Sequence, residues 1–306
     1  MVRAVRFDHY GDRDVLYIAD VEMPKPQPGE AVVRVKAAGI NPGEAAIRKG
    51  ALESLFPATF PSGEGSDLAG VVSDVGGSVT EFAVGDEVLG WSWKRSSHAE
   101  YVSVPVTQLI RKPPALSWEV AGSLYVVGCT AYAAVRAVSP QPGETVAVSA
   151  AAGGVGSVVV QLLKTKEVTV LGIASESNDE WLRSHGATPI AYGEGIKERL
   201  VAAAPNGIDA FIDLFGPQYV QLAFDLGIEP TRIETIISRD KALELGAKVE
   251  GSGDASTTEV LTEMAELVAS GQIEIPIAAT YPLEQVRDAY EELEARHTHG
   301  KIVLIP

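Results

Sequence analysis

The residues best placed to do chemistry lie in one stretch, Ala151-Ala152-Gly153-Gly154-Val155-Gly156. It follows the short apolar run Thr145 to Ser149 and leads into Ser157-Val158-Val159-Val160-Gln161-Leu162-Leu163-Lys164. A strand feeding a glycine-rich helix N-terminus is a seat for a pyrophosphate. Backbone N–H groups without intrahelical partners and the positive end of the helix dipole both face the anion. The spacing departs from G-x-G-x-x-G at its first position, Ala151, and keeps Gly153 and Gly156 at the other two. Alanine serves at the first position if the turn there does not need a positive φ. The second must let backbone approach phosphate, and the third must let helix pack on strand.

A seat of this kind needs a parallel sheet behind it, and the chain supplies one. From Thr145 onward, strand patterns (Thr145–Ser149, Val168–Ile173, Ala187–Ala191, Ala210–Leu214, Arg232–Ile237) alternate with helical ones (Gly154–Lys166, Asp179–His185, Ile196–Ala203, Tyr219–Asp225). That alternation predicts a doubly wound α/β sheet. Residues 1 to about 115 read differently. Val2 to Phe7, Leu16 to Ala19, Ala31 to Ala37, Asp67 to Val75, Glu87 to Trp91 and Ala99 to Val104 are short strands punctuated by Gly and Pro. Within them, Asn41 to Gly50 reads as a short helix capped by Asn41. Ser117 opens a helix, and a second helical stretch runs from about Gly128 to Ala137. Amphipathic helices at Glu259–Ser270 and Leu283–Arg296 and a strand, Lys301–Ile305, close the chain.

Composition narrows the partners. A formal charge of −16, with no Lys/Arg run longer than two residues, argues against nucleic acid. The uncharged runs Val120–Val135 and Thr145–Leu163 approach the length of a membrane span, but glycines and polar residues interrupt the second. A buried strand-loop-helix unit explains it better than a bilayer does. One cysteine, Cys129, permits neither an intrachain disulfide nor a multi-cysteine metal site and suits a reducing cytoplasm. The alternating N-terminus lacks the apolar core of a signal peptide.

Six ordered stretches together resemble the medium-chain dehydrogenase/reductase superfamily, in its zinc-independent quinone oxidoreductase-like branch. They are Pro28–Pro42, Gly65–Val72, Val84–Val88, Ala151–Gly156, Leu182–Ala187 and Gly300–Leu304. The resemblance implies a GroES-like β-rich catalytic domain (1–116, completed by 271–306) and a Rossmann cofactor domain (117–270). It also implies a cleft between them, and a homodimer.

The resemblance further implies roles for named residues. Ala151, Gly153, Gly154 and Val155 would cradle a dinucleotide, with Leu214, Phe215 and Ile237 at the carboxyl edge of the sheet. Thr130 matches a position near the nicotinamide, and Lys301 falls among the cofactor-binding positions. Ser175 stands where a NAD site places Asp or Glu against the ribose 2′-OH. Its hydroxyl removes repulsion against a 2′-phosphate, to which Asn178 and Tyr192 could donate, so NADPH is favoured over NADH. Glu176 next door, and the lack of Arg or Lys between Ser175 and Arg183, argue the other way. Zinc-dependent members hold their metal at positions that fall here at or near Asn41, Ser66 and Val126, which offer neither thiolate nor imidazole. Without a Lewis acid, the acceptor must already be electrophilic, a quinone or an α,β-unsaturated carbonyl. Asn41 is then the first candidate for a polar group at the reacting centre. Tyr125 and Tyr132 could donate a proton, although aromatic residues in so apolar a run usually belong to the core.

Overall fold

The alternating run at the N-terminus forms β1 (Val2–Phe7), which buries Ala4, Val5 and Phe7. It is followed by β2 (Tyr17–Val21), β3 (Glu30–Gly39), α1 (Pro42–Arg48), β4 (Ser62–Gly63), β5 (Asp67–Val75) and β6 (Glu87–Trp91). Next come β7 (Tyr101–Pro105), β8 (Leu109–Arg111), α2 (Trp118–Ala121) and α3 (Leu124–Val138). Strands and helices then alternate: β9 (Thr145–Val148), α4 (Gly154–Lys164), β10 (Thr169–Ala174), α5 (Asp179–Ser184), β11 (Ala187–Ala191) and α6 (Ile196–Ala203). The run continues with β12 (Ala210–Asp213), α7 (Pro217–Asp225), β13 (Ile233–Thr235) and α8 (Arg239–Leu245). The chain closes with α9 (Thr258–Ala269), β14 (Ile277–Pro282), α10 (Val286–Glu294) and β15 (Lys301–Ile305).

This computed structural model describes all 306 residues, and they divide into two compact units. The first contains Met1–Val126, Thr257–Ser270 and Pro276–Pro306; the second contains Val127–Ser256 and Gly271–Ile275. The boundaries expected from sequence were 116/117 and 270/271. The first division falls ten residues later, inside α3. The segment carrying α9 groups with the first unit because α9 packs on β8.

In the first unit a seven-stranded sheet runs β14-β15-β3-β5-β6-β8, with β7 also paired to β3, and a three-stranded sheet runs β2-β1-β4. One core gathers Val33, Val35, Leu68, Val72, Val88 and Val102. A second gathers Phe7, Leu16, Ile40, Val286, Ile302 and Leu304. Gly300, at φ +86°, leads into β15 where an added Cβ would lie 2.2 Å from Pro276 O, so no other residue fits there.

In the second unit five parallel strands lie in the order β11-β10-β9-β12-β13. The order reverses direction between β9 and β12, as a doubly wound sheet requires. Leu171, Ile173, Phe211, Val220 and Ile233 form its core. No helix of either unit is long and apolar enough to cross a membrane.

The expected strand Arg232–Ile237 is cut to Ile233–Thr235. Thr235 Oγ1 accepts from the N–H groups of Ile237 and Ser238, and that side-chain turn ends the ladder. Sequence reading missed β8, β14 and α8. Strand β14 alternates half-buried and exposed positions but holds only Ile277, Ala279 and Tyr281 on its inner face, follows Pro276 and ends on Pro282, a weak strand signal.

Glu234, on β13, is fully buried; Oε1 accepts from Glu250 N–H and Oε2 has no partner. Burial raises its pKa to about 8, with Glu250 and Asp254 adding to the rise and Lys248 opposing it. The unfolded carboxyl loses its proton near its ordinary value, while the folded one keeps it. Stability should therefore fall as pH rises between about 5 and 8, by up to ~1.4 kcal/mol per pH unit for one such proton. Denaturant unfolding across that range should show the decline in the wild type and a shallower one in Glu234→Gln.

Candidate active site

At the carboxyl end of β9 the chain turns through Ala150, at φ +48°, while Ala151 is not left-handed, which is why alanine serves at the first loop position. Ala151 N–H donates to Ile173 O at 3.0 Å and ties the loop to β10. Gly153 then caps α4 in extended conformation. A Cβ on Gly156 would stand 2.1 Å from Ala150 O, so helix and loop touch only because that side chain is absent. Gly153, Gly154 and Val155 remain partly open to solvent, and the first N–H groups of α4 have no intrahelical acceptors. The cradle fits a pyrophosphate.

Strand β10 ends at Ala174. Ser175 Oγ accepts from Asn178 Nδ2 at 2.7 Å and shares a hydrogen bond with Ser177 Oγ at 2.8 Å. Glu176 points to solvent in the same turn. Tyr192, 52 % exposed, follows β11, and its N–H donates to Ala174 O at 3.4 Å. The structure thus brings Ser175, Asn178 and Tyr192 together at one corner of the sheet.

At the neighbouring strand ends a residue missed from sequence organises the edge. Asp213 is fully buried; Oδ1 accepts from Ser149 Oγ (2.7 Å), Phe215 N–H (3.0 Å) and Gly216 N–H (3.1 Å). Its Oδ2 accepts from Thr235 Oγ1 (2.8 Å) and Ser238 Oγ (3.3 Å). Ser149 Oγ in turn accepts from Leu214 N–H. One carboxylate therefore fixes the loops that expose Phe215 and Ile237, while Leu214 is buried. An acid closing the apolar strand Ala210-Phe211-Ile212-Asp213 was the available signal.

The first unit holds an almost fully buried polar cluster. Asn41 opens α1, and Glu44 reaches back to accept from Asn41 N–H at 2.9 Å. The Asn41 side chain turns away from the helix: Nδ2 donates to Glu44 Oε1 (3.1 Å) and Asp67 Oδ2 (3.0 Å), and Oδ1 accepts from Lys301 Nζ (2.5 Å). Lys301, 3 % exposed, also donates to Ile40 O at 2.9 Å and lies 3.4 Å from Asp67 Oδ2. Asp67 Oδ1 accepts from Val126 N–H, Glu44 Oε1 from Ser66 N–H, and Glu44 Oε2 from Tyr290 OH. Behind them Arg48 pairs with Glu64 at 2.5 Å and lies over the Tyr290 ring. Burial raises the Asp67 pKa against the pull of Lys301 and Asn41. It raises Glu64 to about 7 against Arg48. Burial also lowers the pKa of His98, whose Nε2 sits 3.2 Å from Gly39 O.

Asn41, Ser66 and Val126, at or near which the resemblance would set zinc ligands, are all bound to the Glu44 and Asp67 carboxylates, through one side-chain amide and three backbone N–H groups. An amide, a hydroxyl and an isopropyl group do not make a zinc site. The positive charge at this place is the Lys301 ammonium.

Three further expected residues lie on α3. Tyr125 is buried and stacked on Trp91 at 4.8 Å, with the Trp93 edge against it. Thr130 is buried, and Tyr132 has the Arg136 guanidinium 6.0 Å from its ring centre.

Comparison with known proteins gives consistent matches. Residues 27–114 match the alcohol dehydrogenase GroES-like domain, and residues 185–304 match the zinc-binding dehydrogenase family. A quinone oxidoreductase of Pseudomonas aeruginosa is 31% identical, covering 100% of both chains. The quinone oxidoreductase structure from Coxiella burnetii superposes with a TM-score of 0.89 at 28% identity, over 100% of this chain and 99% of that one. The Escherichia coli quinone oxidoreductase, solved in complex with NADPH, gives 0.88 at 26% identity over 99% of this chain and 100% of that one.

Replacing Lys301 by Met strands a buried carboxylate, at a cost of about 3–5 kcal/mol. Urea unfolding should show that loss, and Asp67→Asn added to Lys301→Met should recover much of it. Equal losses in the single and double variants would contradict the pairing.

Proposed function

Because the chain belongs to the medium-chain dehydrogenase/reductase superfamily, in its quinone oxidoreductase-like branch, we propose that this oxidoreductase is zinc-independent and uses NADPH to reduce a quinone or an α,β-unsaturated carbonyl. The observation that carries the choice of cofactor is the Ser175–Ser177–Asn178 group at the end of β10, with the Tyr192 N–H bonded to Ala174 O just before it. Hydroxyl and amide donors stand where a carboxylate would select the free 2′-OH. They can meet a 2′-phosphate instead. In this reading Ala151, Gly153, Gly154 and Val155 hold the pyrophosphate, and the loops fixed by Asp213 present Phe215, Ile237 and the backbone of the buried Leu214 to the nicotinamide half, with Thr130 near it.

When bound, NADPH supplies the hydride. The chain contributes placement. The Asn41 amide makes three hydrogen bonds inside its cluster, so its part is to hold a rigid polar face and not to shuttle a proton. Lys301 fixes the orientation of that amide, and its own charge is taken up by Asp67. Within this reading the proton donor is one of Tyr125 and Tyr132, of which Tyr125 is buried against Trp91. The reading includes a homodimer in a reducing cytoplasm, supported by the resemblance and by a single, buried cysteine.

NADPH oxidation with a panel of quinones and enals tests this directly, and Ser175→Glu tests the choice of cofactor. The variant should lose about 10- to 100-fold in kcat/KM for NADPH, the worth of roughly 1.5–3 kcal/mol in charged hydrogen bonds, and far less for NADH. Tight NADPH binding without any acceptor-dependent oxidation would leave a nucleotide-binding protein in place of an enzyme.

A further inference from the structure

The turn after β10, Ser175 to Asn178, carries no cation, and the next crossover, from β11 to α6, carries Arg199. We infer that Arg199 is a positioning residue that sets cofactor specificity by clamping the loop that carries Tyr192. This rests on the NADPH reading and extends it to a residue outside the phosphate turn.

Arg199 lies on α6 and is half-buried. Its guanidinium donates to four consecutive carbonyls of the β11–α6 loop. Nε donates to Ala191 O at 3.0 Å, and Nη1 to Glu194 O at 2.8 Å. Nη2 donates to Tyr192 O and Gly193 O, each at 3.3 Å. The loop has little else to order it. Gly193 and Gly195 both adopt left-handed φ, at +97° and +77°, and Tyr192, Gly193, Glu194 and Gly195 are all exposed. Glycine at two of four positions gives the unclamped chain wide conformational freedom. The planar fork of a guanidinium spans several acceptors at once, whereas a lysine ammonium is a point charge on a flexible stem.

The clamp acts on specificity through register. Ala191 pairs with Ala174 across β11 and β10, and Tyr192 N–H reaches Ala174 O. Fixing the carbonyls of residues 191–194 therefore holds the backbone of Tyr192 against the end of β10, next to Ser175 in the chain. A loop released from Arg199 would leave the pyrophosphate cradle and the loops bound to Asp213 untouched, so binding shared by NADPH and NADH should survive its loss.

Binding of NADPH and NADH to wild type, Arg199→Lys, Tyr192→Ala and the double variant, with thermal midpoints for each, tests this. Arg199→Lys should weaken NADPH about 5- to 20-fold and NADH less than about twofold. The double variant should bind NADPH no worse than Tyr192→Ala alone, because both changes remove the same contact. Additive losses, or equal losses for both nucleotides, would overturn the inference. Should Arg199→Lys fail to fold, Tyr192→Ala combined with Arg199→Gln supplies the same cycle. A wild type that binds NADPH and NADH equally would instead sink the NADPH reading itself.

Discussion

The Lys301 ammonium, set among Asn41, Asp67 and the end of β3, is the interaction on which the first unit depends. Removing a carboxylate or an ammonium from water costs several kcal/mol after relaxation, and only dense hydrogen bonding offsets that. Glu44 and Asp67 are therefore compelled to gather donors: the Asn41 amide, three backbone N–H groups, Tyr290 and Lys301. Those donors come from the start of α1, the start of β5, the start of α3, α10 and β15. The need to satisfy two buried acids thus fixes where five elements meet.

Asp213 does the equivalent in the second unit. Its two oxygens bind groups from the ends of β9, β12 and β13, three neighbouring strands at the point where the order reverses. Ligands of open α/β sheets bind along that edge. The arrangement separates tasks between residues. Asp213 holds the loops after β12 and β13 and Arg199 the loop after β11, so one loop can vary without disturbing the others.

Much of this architecture was legible from local pattern. The strand-loop-helix at Thr145–Lys164, the terminal strand and the helix at Ile196–Ala203 follow from periodicity and glycine placement. The polar cluster was not. Asn41 was read as a cap and a polar candidate, but its partner Lys301 lies 260 residues away, and Glu44, Arg48 and Glu64 look like the solvated charges of any surface helix or loop. Charge reads as exposure until tertiary structure supplies a counter-charge. Arg199 escaped notice for the same reason, since its acceptors are backbone carbonyls and carry no sequence signal. At the edge, Ile236 and Ile237 look like strand, yet the Thr235 side chain stops it.

Asn41, Ser66 and Val126, at or near which the resemblance would set a metal's ligands, are all bound to the Glu44 and Asp67 carboxylates, with Lys301 beside Asp67. The most direct measurement is therefore the rate of NADPH-dependent quinone reduction after exhaustive chelation, with metal content determined on the same sample. The account predicts an undiminished rate with metal far below one ion per chain. A rate lost on chelation and restored by zinc would contradict it.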